Sequence, residues 1–379
     1  MGHRLLHSGW AVLLALLLSA CASVPPSPAV EALLDGARFA PRPVPDAKAL
    51  FAISEPMHTF IHRELRPAVR QLGPQRGLYR ALSEGGYLRI DYDASLTRNA
   101  AQTFEARAGN CMSLVLMTAS LARELGLRVN YQLVEVPEIW TLSERFMMLN
   151  GHVNLSLGEA PRSLGFPEMG RYTIDFQPVD DMRIRRVRPL GEETLVAMFF
   201  NNRAVELMEQ GELDDAFAHL RAALRSDPSH WNSLNTLGVL FRRAGDPQRA
   251  EAALQLLLQL EPDNRHAASN LAGLWRELGR VDEALALERN LPPSPFADYA
   301  RGLELVAVRD WPAALRAFQR QLRRSPDFHG LHFQLARAHL ELGDVREARR
   351  HLELAEQQAP TGLLRVRYQA KVQALRRAG

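Results

Sequence analysis

Length, composition and charge place this 379-residue chain among the globular proteins. With 46% hydrophobic and 23% charged residues, it has the composition of folded domains and not of a disordered chain. The net charge of +3 is small, which argues against a nucleic-acid partner. The sequence has no glycine-rich phosphate loop and no paired metal-binding cysteines, so we expect no cofactor and no metal centre.

Residues 1–20 have the pattern of a secretion signal. Arg4 precedes an uninterrupted apolar run from Trp10 to Leu18, which is too short for a bilayer span of ~20 residues. The run ends in Leu-Ser-Ala-Cys, which resembles the lipobox of bacterial lipoproteins. The resemblance implies cleavage before Cys21 and acylation of that cysteine. An ordinary signal peptide with a chance cysteine is the alternative.

The segment after Cys21 bears on localisation. Ala22 is not the aspartate that in lipoproteins favours the inner membrane, so we expect an outer-membrane anchor facing the periplasm. The lipid is then the only membrane contact. Residues 21–49 are rich in proline, which predicts an extended tether that does not pack, interrupted at most by a short helix over 31–39.

The C-terminal half contains an internal repeat. A small residue is followed twelve positions later by alanine in five units, and the steps between units are 34, 34, 30 and 34 residues. This pattern resembles the tetratricopeptide repeat over residues 197–360. It predicts an all-α superhelix of five repeats, with residues 361–379 as a capping helix. The third unit lacks four residues, so we expect its second helix to be short.

The resemblance to tetratricopeptide repeats implies a groove lined by the first helix of each unit, which binds a protein or peptide partner. Helical position predicts that five polar residues face this groove. These are Asn201, Asn235, Arg242, Arg243 and Arg276. The arginines suit an acidic peptide. The alternative is an ordinary solvated surface.

Residues 50–190 have the pattern of an α+β domain. Apolar residues recurring every four positions predict a helix over 95–107, which Gly109 and Asn110 interrupt. A second helix begins at Cys111 and is apolar almost all round, as in a buried central helix. Three alternating segments, over 127–133, 153–157 and 172–176, predict strands.

The order of these elements resembles the transglutaminase-like superfamily, whose logic papain-like peptidases share. The matching stretches are GNCMSLVLMTASLARELGL, GHVNL and YTIDF. The resemblance implies Cys111 as the nucleophile, His152 as the base and Asp175 as its orienting partner. Strand periodicity places His152 and Asp175 on the non-aliphatic faces of their strands, open to a cleft. Gln102 is the candidate oxyanion donor.

The chemistry requires the histidine, because a helix N-terminus lowers a thiol pKa by only about one unit. Two functions remain open. One is a cysteine-dependent hydrolase or acyltransferase acting on peptide or amide bonds, which we favour. The other is a non-catalytic lipoprotein scaffold whose repeats mediate protein–protein interaction. The predicted fold is an α+β transglutaminase-like or papain-like domain followed by the all-α superhelix.

Overall fold

The computed structural model describes residues 26–35, 38–83, 90–93, 96–135, 140–143, 146–149, 152–158, 172–176, 186–289, 297–326, 328–359 and 362–378. Cys21 and the predicted signal sequence lie outside these residues. The chain forms two compact units. The first joins the segment up to Val44 with Gly191–Leu260, and the second joins Pro45–Leu190 with Glu261–Gly379. No helix in the described part of the chain is long and apolar enough to cross a membrane.

The described part of the proline-rich segment is packed, which differs from the predicted tether. Helix α1, Pro28–Leu33, begins where the Ser27 hydroxyl accepts a hydrogen bond from the Val30 amide at 3.3 Å. Val30 and Leu33 form the buried side of α1. Phe39, also buried, stacks on Phe217 with 4.4 Å between ring centroids. The spacing of these apolar residues gives the segment a face to bury despite its prolines.

The next part of the chain, in the second unit, is helical. It comprises a 3₁₀ turn at Ala47–Phe51, α2 at Glu55–Phe60, a π turn at Ile61–Leu65, α3 at Arg66–Leu72 and α4 at Pro74–Ser83. A short parallel pair follows, formed by β1, Asp91–Tyr92, and β2, Ala108–Gly109. Helix α5, Ala100–Ala106, lies between these two strands in the chain.

Two capping motifs determine where α5 and α6 begin. Helix α5 starts at Ala100 and not at residue 95, because Asn99 and Gln102 form a capping box. Helix α6, Cys111–Glu124, starts at the predicted residue, where the Asn110 side chain accepts from the Ser113 amide. Eleven of its residues are buried, as its apolar composition predicts.

The sheet of this unit has the order β7-β6-β3-β8 and is antiparallel at every pairing. Its strands are β3 at Val129–Glu135, β6 at His152–Leu157, β7 at Tyr172–Ile174 and β8 at Arg186–Leu190. Strands β4, Trp140–Ser143, and β5, Phe146–Leu149, form a separate hairpin. The prediction of a mixed helix-and-sheet region is therefore confirmed. Every residue of β6 is buried, so its polar face is not the open face that the alternation predicted.

The described residues from 192 onward form helices, and each repeat contributes one antiparallel pair. They are α7 at Glu192–Gln210, α8 at Leu213–Ser226, α9 at Trp231–Arg243, α10 at Pro247–Leu260, α11 at Arg265–Glu277, α12 at Val281–Arg289, α13 at Ala297–Ala307, α14 at Trp311–Leu322, α15 at His329–Glu341, α16 at Val345–Gln357 and α17 at Gly362–Ala378. Helix α12 has nine residues against fourteen in α8 and α10, which confirms the short second helix of the third repeat.

The small residues of the repeat lie where paired helices approach closely. A Cβ on Gly238 of α9 would lie 2.8 Å from Leu254 Cγ of α10. Leu237, Phe241 and Ala250 are fully buried around this contact. The close approach predicted from the repeat pattern is therefore confirmed.

Candidate functional site

The start of α6 holds Cys111 in a fixed position. The Asn110 side-chain oxygen caps the helix by accepting a hydrogen bond from the Ser113 backbone amide at 2.9 Å. The side-chain nitrogen Nδ2 of Asn110 donates to Thr97 Oγ1 at 2.8 Å. Gly109 is required here, because a Cβ at this position would lie 2.7 Å from Ser113 Cβ. Cys111 is a free, half-buried thiol at the first position of the helix.

Strand β6 brings His152 to a carboxylate. His152 Nε2 lies 2.6 Å from Asp175 Oδ1, and Asp175 directly follows the neighbouring strand β7. The Asn154 amide donates to the other oxygen of Asp175 at 3.1 Å. The structure thus brings together the His152 and Asp175 that the sequence pairs, and adds Asn154 as a second group on the same carboxylate.

The pKa of His152 is affected by both Asp175 and Cys111. Burial lowers the pKa of His152, but the hydrogen bond and charge of Asp175 and the nearby Cys111 outweigh burial and raise that pKa to about 9. Nε2 is occupied by Asp175, and the buried Nδ1 has no hydrogen-bond partner of normal geometry within the described residues. A protonated imidazole beside a thiol can hold that thiol as a thiolate and later return a proton.

Gln102, the candidate oxyanion donor, takes part in the capping box of α5. Its side-chain oxygen accepts from the Asn99 amide at 3.2 Å, and its own amide donates to Asn99 Oδ1 at 2.9 Å. The residue is exposed on α5. Gln102 therefore caps its helix through its side-chain oxygen and backbone amide, and its assignment as oxyanion donor stays a prediction.

The predicted groove residues fall into two groups. Arg243 donates to the Met208 carbonyl at 2.7 Å, which caps the end of α7, and Arg276 forms a bidentate pair with Glu288 of α12. Both arginines therefore have partners within the chain, and the acidic-peptide site stays a prediction. Asn201, Asn235 and Arg242 lie on the first helices α7 and α9 and are half-buried. The Asn201 side-chain oxygen is buried without a hydrogen-bond partner among the described residues.

Sequence reasoning gave no role to Asn154 or Ser113. Asn154 lies on the same polar face of β6 as His152. This shared face could have predicted that Asn154 is a second hydrogen-bond donor to Asp175. Ser113 follows Asn110 by three residues, which is the spacing of a helix cap. Its hydroxyl also accepts from the Arg98 amide at 2.8 Å, which ties the segment before α5 to the start of α6.

The antiparallel helix pairs from α7 onward define a helical-repeat protein. More specifically, tetratricopeptide repeat family models match residues 201–264, 235–298 and 305–375. The predicted tetratricopeptide repeats are therefore confirmed. These matches begin at residue 201, so the transglutaminase-like assignment of residues 50–190 stays a prediction.

Proteins similar to this chain include Protein FlbA of Caulobacter vibrioides, 26% identical over 185 residues that make up 48% of this chain and 30% of FlbA. Cellulose synthase operon protein C of Pseudomonas fluorescens is 30% identical over 112 residues, 26% of this chain and 9% of that protein. The chain spans less than a third of the length of these curated relatives.

Among solved structures, a thermophilic tetratricopeptide-repeat protein of Thermus thermophilus is similar at 23% identity and a TM-score of 0.35. The match covers 46% of this chain and 97% of that one. The pilF protein of Pseudomonas aeruginosa is similar at 20% identity and a TM-score of 0.32, over 49% of this chain and 88% of its own.

Proposed function

We propose that the repeats bind a protein or peptide partner, so that the chain acts as an interaction scaffold. The proposal is based on which helices of the first two repeats are contacted by the N-terminal segment of the same chain. Helix α1 packs against α10, and Arg225 of α8 pairs with Glu31. Arg249 of α10 donates to the Asp35 carbonyl at 2.6 Å. Within the described residues, the N-terminal segment contacts the second helices α8 and α10 and reaches the first helix α9 through Phe39 and Phe241. We propose that the remaining surface of α7 and α9 receives the partner.

The polar residues on those first helices suit an uncharged main chain better than an acidic group. Asn201 and Asn235 lie 34 residues apart, at the same position of consecutive repeats. The buried, unpartnered oxygen of Asn201 is an acceptor that a bound amide would satisfy. Because Arg243 and Arg276 are already engaged, we propose that the partner presents an extended segment to these asparagines.

Site-specific photo-crosslinking in the full chain tests the scaffold. A photoreactive side chain at Asn235 of α9 should capture a defined partner when expressed in the native host. The matched control is Gln255, an exposed residue on the second helix α10. Crosslinks at Gln255 and not at Asn235 would contradict the proposed binding face, and the absence of specific crosslinks at either position would contradict the scaffold.

A second candidate function rests on the contacts of His152. We propose that Cys111, His152 and Asp175 form a thiol site for acyl transfer or hydrolysis at peptide or amide bonds. The 2.6 Å contact with Asp175 fixes one ring nitrogen, and the raised pKa keeps the imidazole charged at neutral pH beside Cys111. The thiolate would attack a carbonyl carbon, and the imidazolium would protonate the leaving group.

Alkylation kinetics test this thiol site without a known substrate. Iodoacetamide at pH 6.5 should modify Cys111, as located by peptide mass spectrometry, and His152→Ala should slow that reaction at least tenfold because the charged imidazole is lost. Asp175→Asn should slow it less, while His58→Ala, at an exposed histidine on α2, should leave the rate unchanged. An equal rate in the parent and His152→Ala would leave the scaffold as the only function.

We also propose that the scaffold is anchored in the bacterial envelope through Cys21. The support is the lipobox-like sequence alone. Cys21→Ser should move the protein from the membrane fraction to the soluble fraction or block its processing. Normal cleavage and membrane retention of the variant would rule out lipid attachment at Cys21.

A further inference from the structure

The last helix pair contains a group of metal-ligand side chains that neither proposed function uses. Glu347 and His351 lie four residues apart on α16 and therefore share one face of that helix. His339 reaches the same place from α15. One ligand atom from each of these three residues lies within 4.8 Å of the other two.

A histidine behind this group sets the tautomer of His351. His332 Nε2 lies 2.9 Å from the Pro326 carbonyl, which can only accept, so this nitrogen carries the hydrogen. In a neutral ring His332 Nδ1 is then an acceptor, and it lies 2.9 Å from His351 Nδ1, which must donate to it. The lone pair of His351 is thereby placed on Nε2, the atom on the other side of the ring.

The surroundings of the group favour a cation. The exposed guanidinium of Arg350 lies 3.4 Å from His351 Nε2 and 2.8 Å from the Glu347 carboxylate. The carboxylate of Asp344 lies 3.6 Å from His339 Nδ1 and adds a negative charge beside the group.

We propose that His339, Glu347 and His351 bind one divalent transition-metal ion of the Zn²⁺ type, with Arg350 occupying the cation position in its absence. Two imidazoles and one carboxylate are a ligand set that zinc accepts, and the fourth position is left to water. Ligand bonds of ~2.0–2.2 Å require the three atoms to move closer together. Glu347, with a third of its side chain exposed, can supply that movement. The sequence expectation of no metal centre is thereby replaced by a metal-site proposal.

Zinc titration of the full chain tests this site. The parent for all measurements should be Cys111→Ser, so that the thiol cannot bind the metal. Calorimetry with ZnCl₂ should show one saturable site per chain. His339→Gln and Glu347→Gln should each weaken zinc binding at least tenfold, and Arg350→Gln should strengthen it by removing the competing cation.

A control and a second signal distinguish this site from adventitious binding. His58 and His62 form an exposed pair in another part of the chain, so His58→Gln should leave the zinc affinity unchanged. Co²⁺ in place of zinc should give visible absorption bands of a tetrahedral site that disappear in His339→Gln. Absence of saturable binding, or loss of binding in His58→Gln and not in His339→Gln, would overturn the proposal. Circular dichroism of each variant confirms its fold.

Discussion

The charge of His152 is determined by a small set of buried groups. Asp175 accepts from His152 with one oxygen and from Asn154 with the other, so the carboxylate has a fixed orientation. His152 and Asn154 are both almost fully buried, at 3% and 4% exposure. Because screening by water is weak there, the carboxylate acts strongly on the imidazole.

This arrangement predicts a pH-dependent stability. The folded-state pKa of His152, about 9, is above the ordinary value of 6.5. The folded state therefore binds the proton more tightly, and the stabilisation is complete below pH 6.5 and is lost as the pH rises through about 9. At ~1.4 kcal/mol per pKa unit, the upper limit is ~3 kcal/mol. Urea denaturation at pH 6 and pH 9.5 should show the difference, and Asp175→Asn should reduce it.

The pairing of His152 with Asp175 was predictable from sequence, but the burial of the His152 strand was not. Strand alternation predicts that His152 and Asn154 share a face, and the structure confirms it through their common contact with Asp175. The same alternation predicts that this face is open, whereas every residue of β6 is buried. Periodicity reports which residues share a face, but what covers that face depends on elements distant in sequence, here α6.

The helices of the repeats differ in how tightly each pair packs. A Cβ on Gly302 of α13 would lie 2.2 Å from the ring of Phe318 on α14. Ala204 and Ala336 occupy the same position of the first and fifth repeats, and leucines, Leu220 and Leu352, lie sixteen residues after them where the fourth has Phe318. The second repeat has Gly238 opposite Leu254, so a leucine at this position occurs with either alanine or glycine.

Gly302→Ala should destabilise the protein through this contact. Overpacking costs ~1–3 kcal/mol, and the better helix propensity of alanine offsets up to ~1 kcal/mol of it. The double variant Gly302→Ala, Phe318→Leu reproduces the alanine–leucine pair of the first and fifth repeats and should lose less stability than the two single losses combined. Thermal and urea unfolding measure both effects. Strictly additive losses would show that the two side chains do not compete for space.

Helix boundaries show where local sequence is sufficient. The start of α6 at Cys111 was predicted because Asn110 caps it with a local bond. The start of α5 was placed five residues too early, because the apolar pattern continues upstream of the helix, whereas the capping box at Asn99 fixes its first residue at Ala100. The short α12 followed directly from the four missing residues of its repeat. Caps are therefore better boundary signals than periodicity in this chain.

Across the molecule, residues far apart in sequence fold together. Phe39 stacks on Phe217, and its ring centroid also lies 6.1 Å from that of Phe241, about two hundred residues along the chain. Arg42 nearby forms ion pairs with Asp214 and Asp215, with 45% of its own side chain exposed. The prolines of this segment led to the prediction of an unpacked tether. Composition alone does not reveal that Phe39 packs against two aromatic rings distant in sequence.

Phe39→Ala should therefore destabilise the first two repeats. Removal of a buried phenylalanine ring costs ~3–5 kcal/mol, whereas Arg42→Ala should cost less than ~1 kcal/mol because its ion pairs are exposed. Hydrogen exchange measured by mass spectrometry should show faster exchange in α8 and α9 for Phe39→Ala. Unchanged exchange in those helices would mean that the segment does not stabilise them.

The docking of α1 also determines how far the repeats can extend from a membrane. On the proposal that Cys21 carries the lipid, only six residue-to-residue steps lead from Cys21 to Ser27, the cap of α1. Even fully extended, six residues span no more than ~20 Å. The first two repeats, which α1 contacts, would then be confined to a thin layer next to the bilayer. Their partner must enter that layer, so membrane-associated proteins would be favoured over those diffusing in the bulk periplasm.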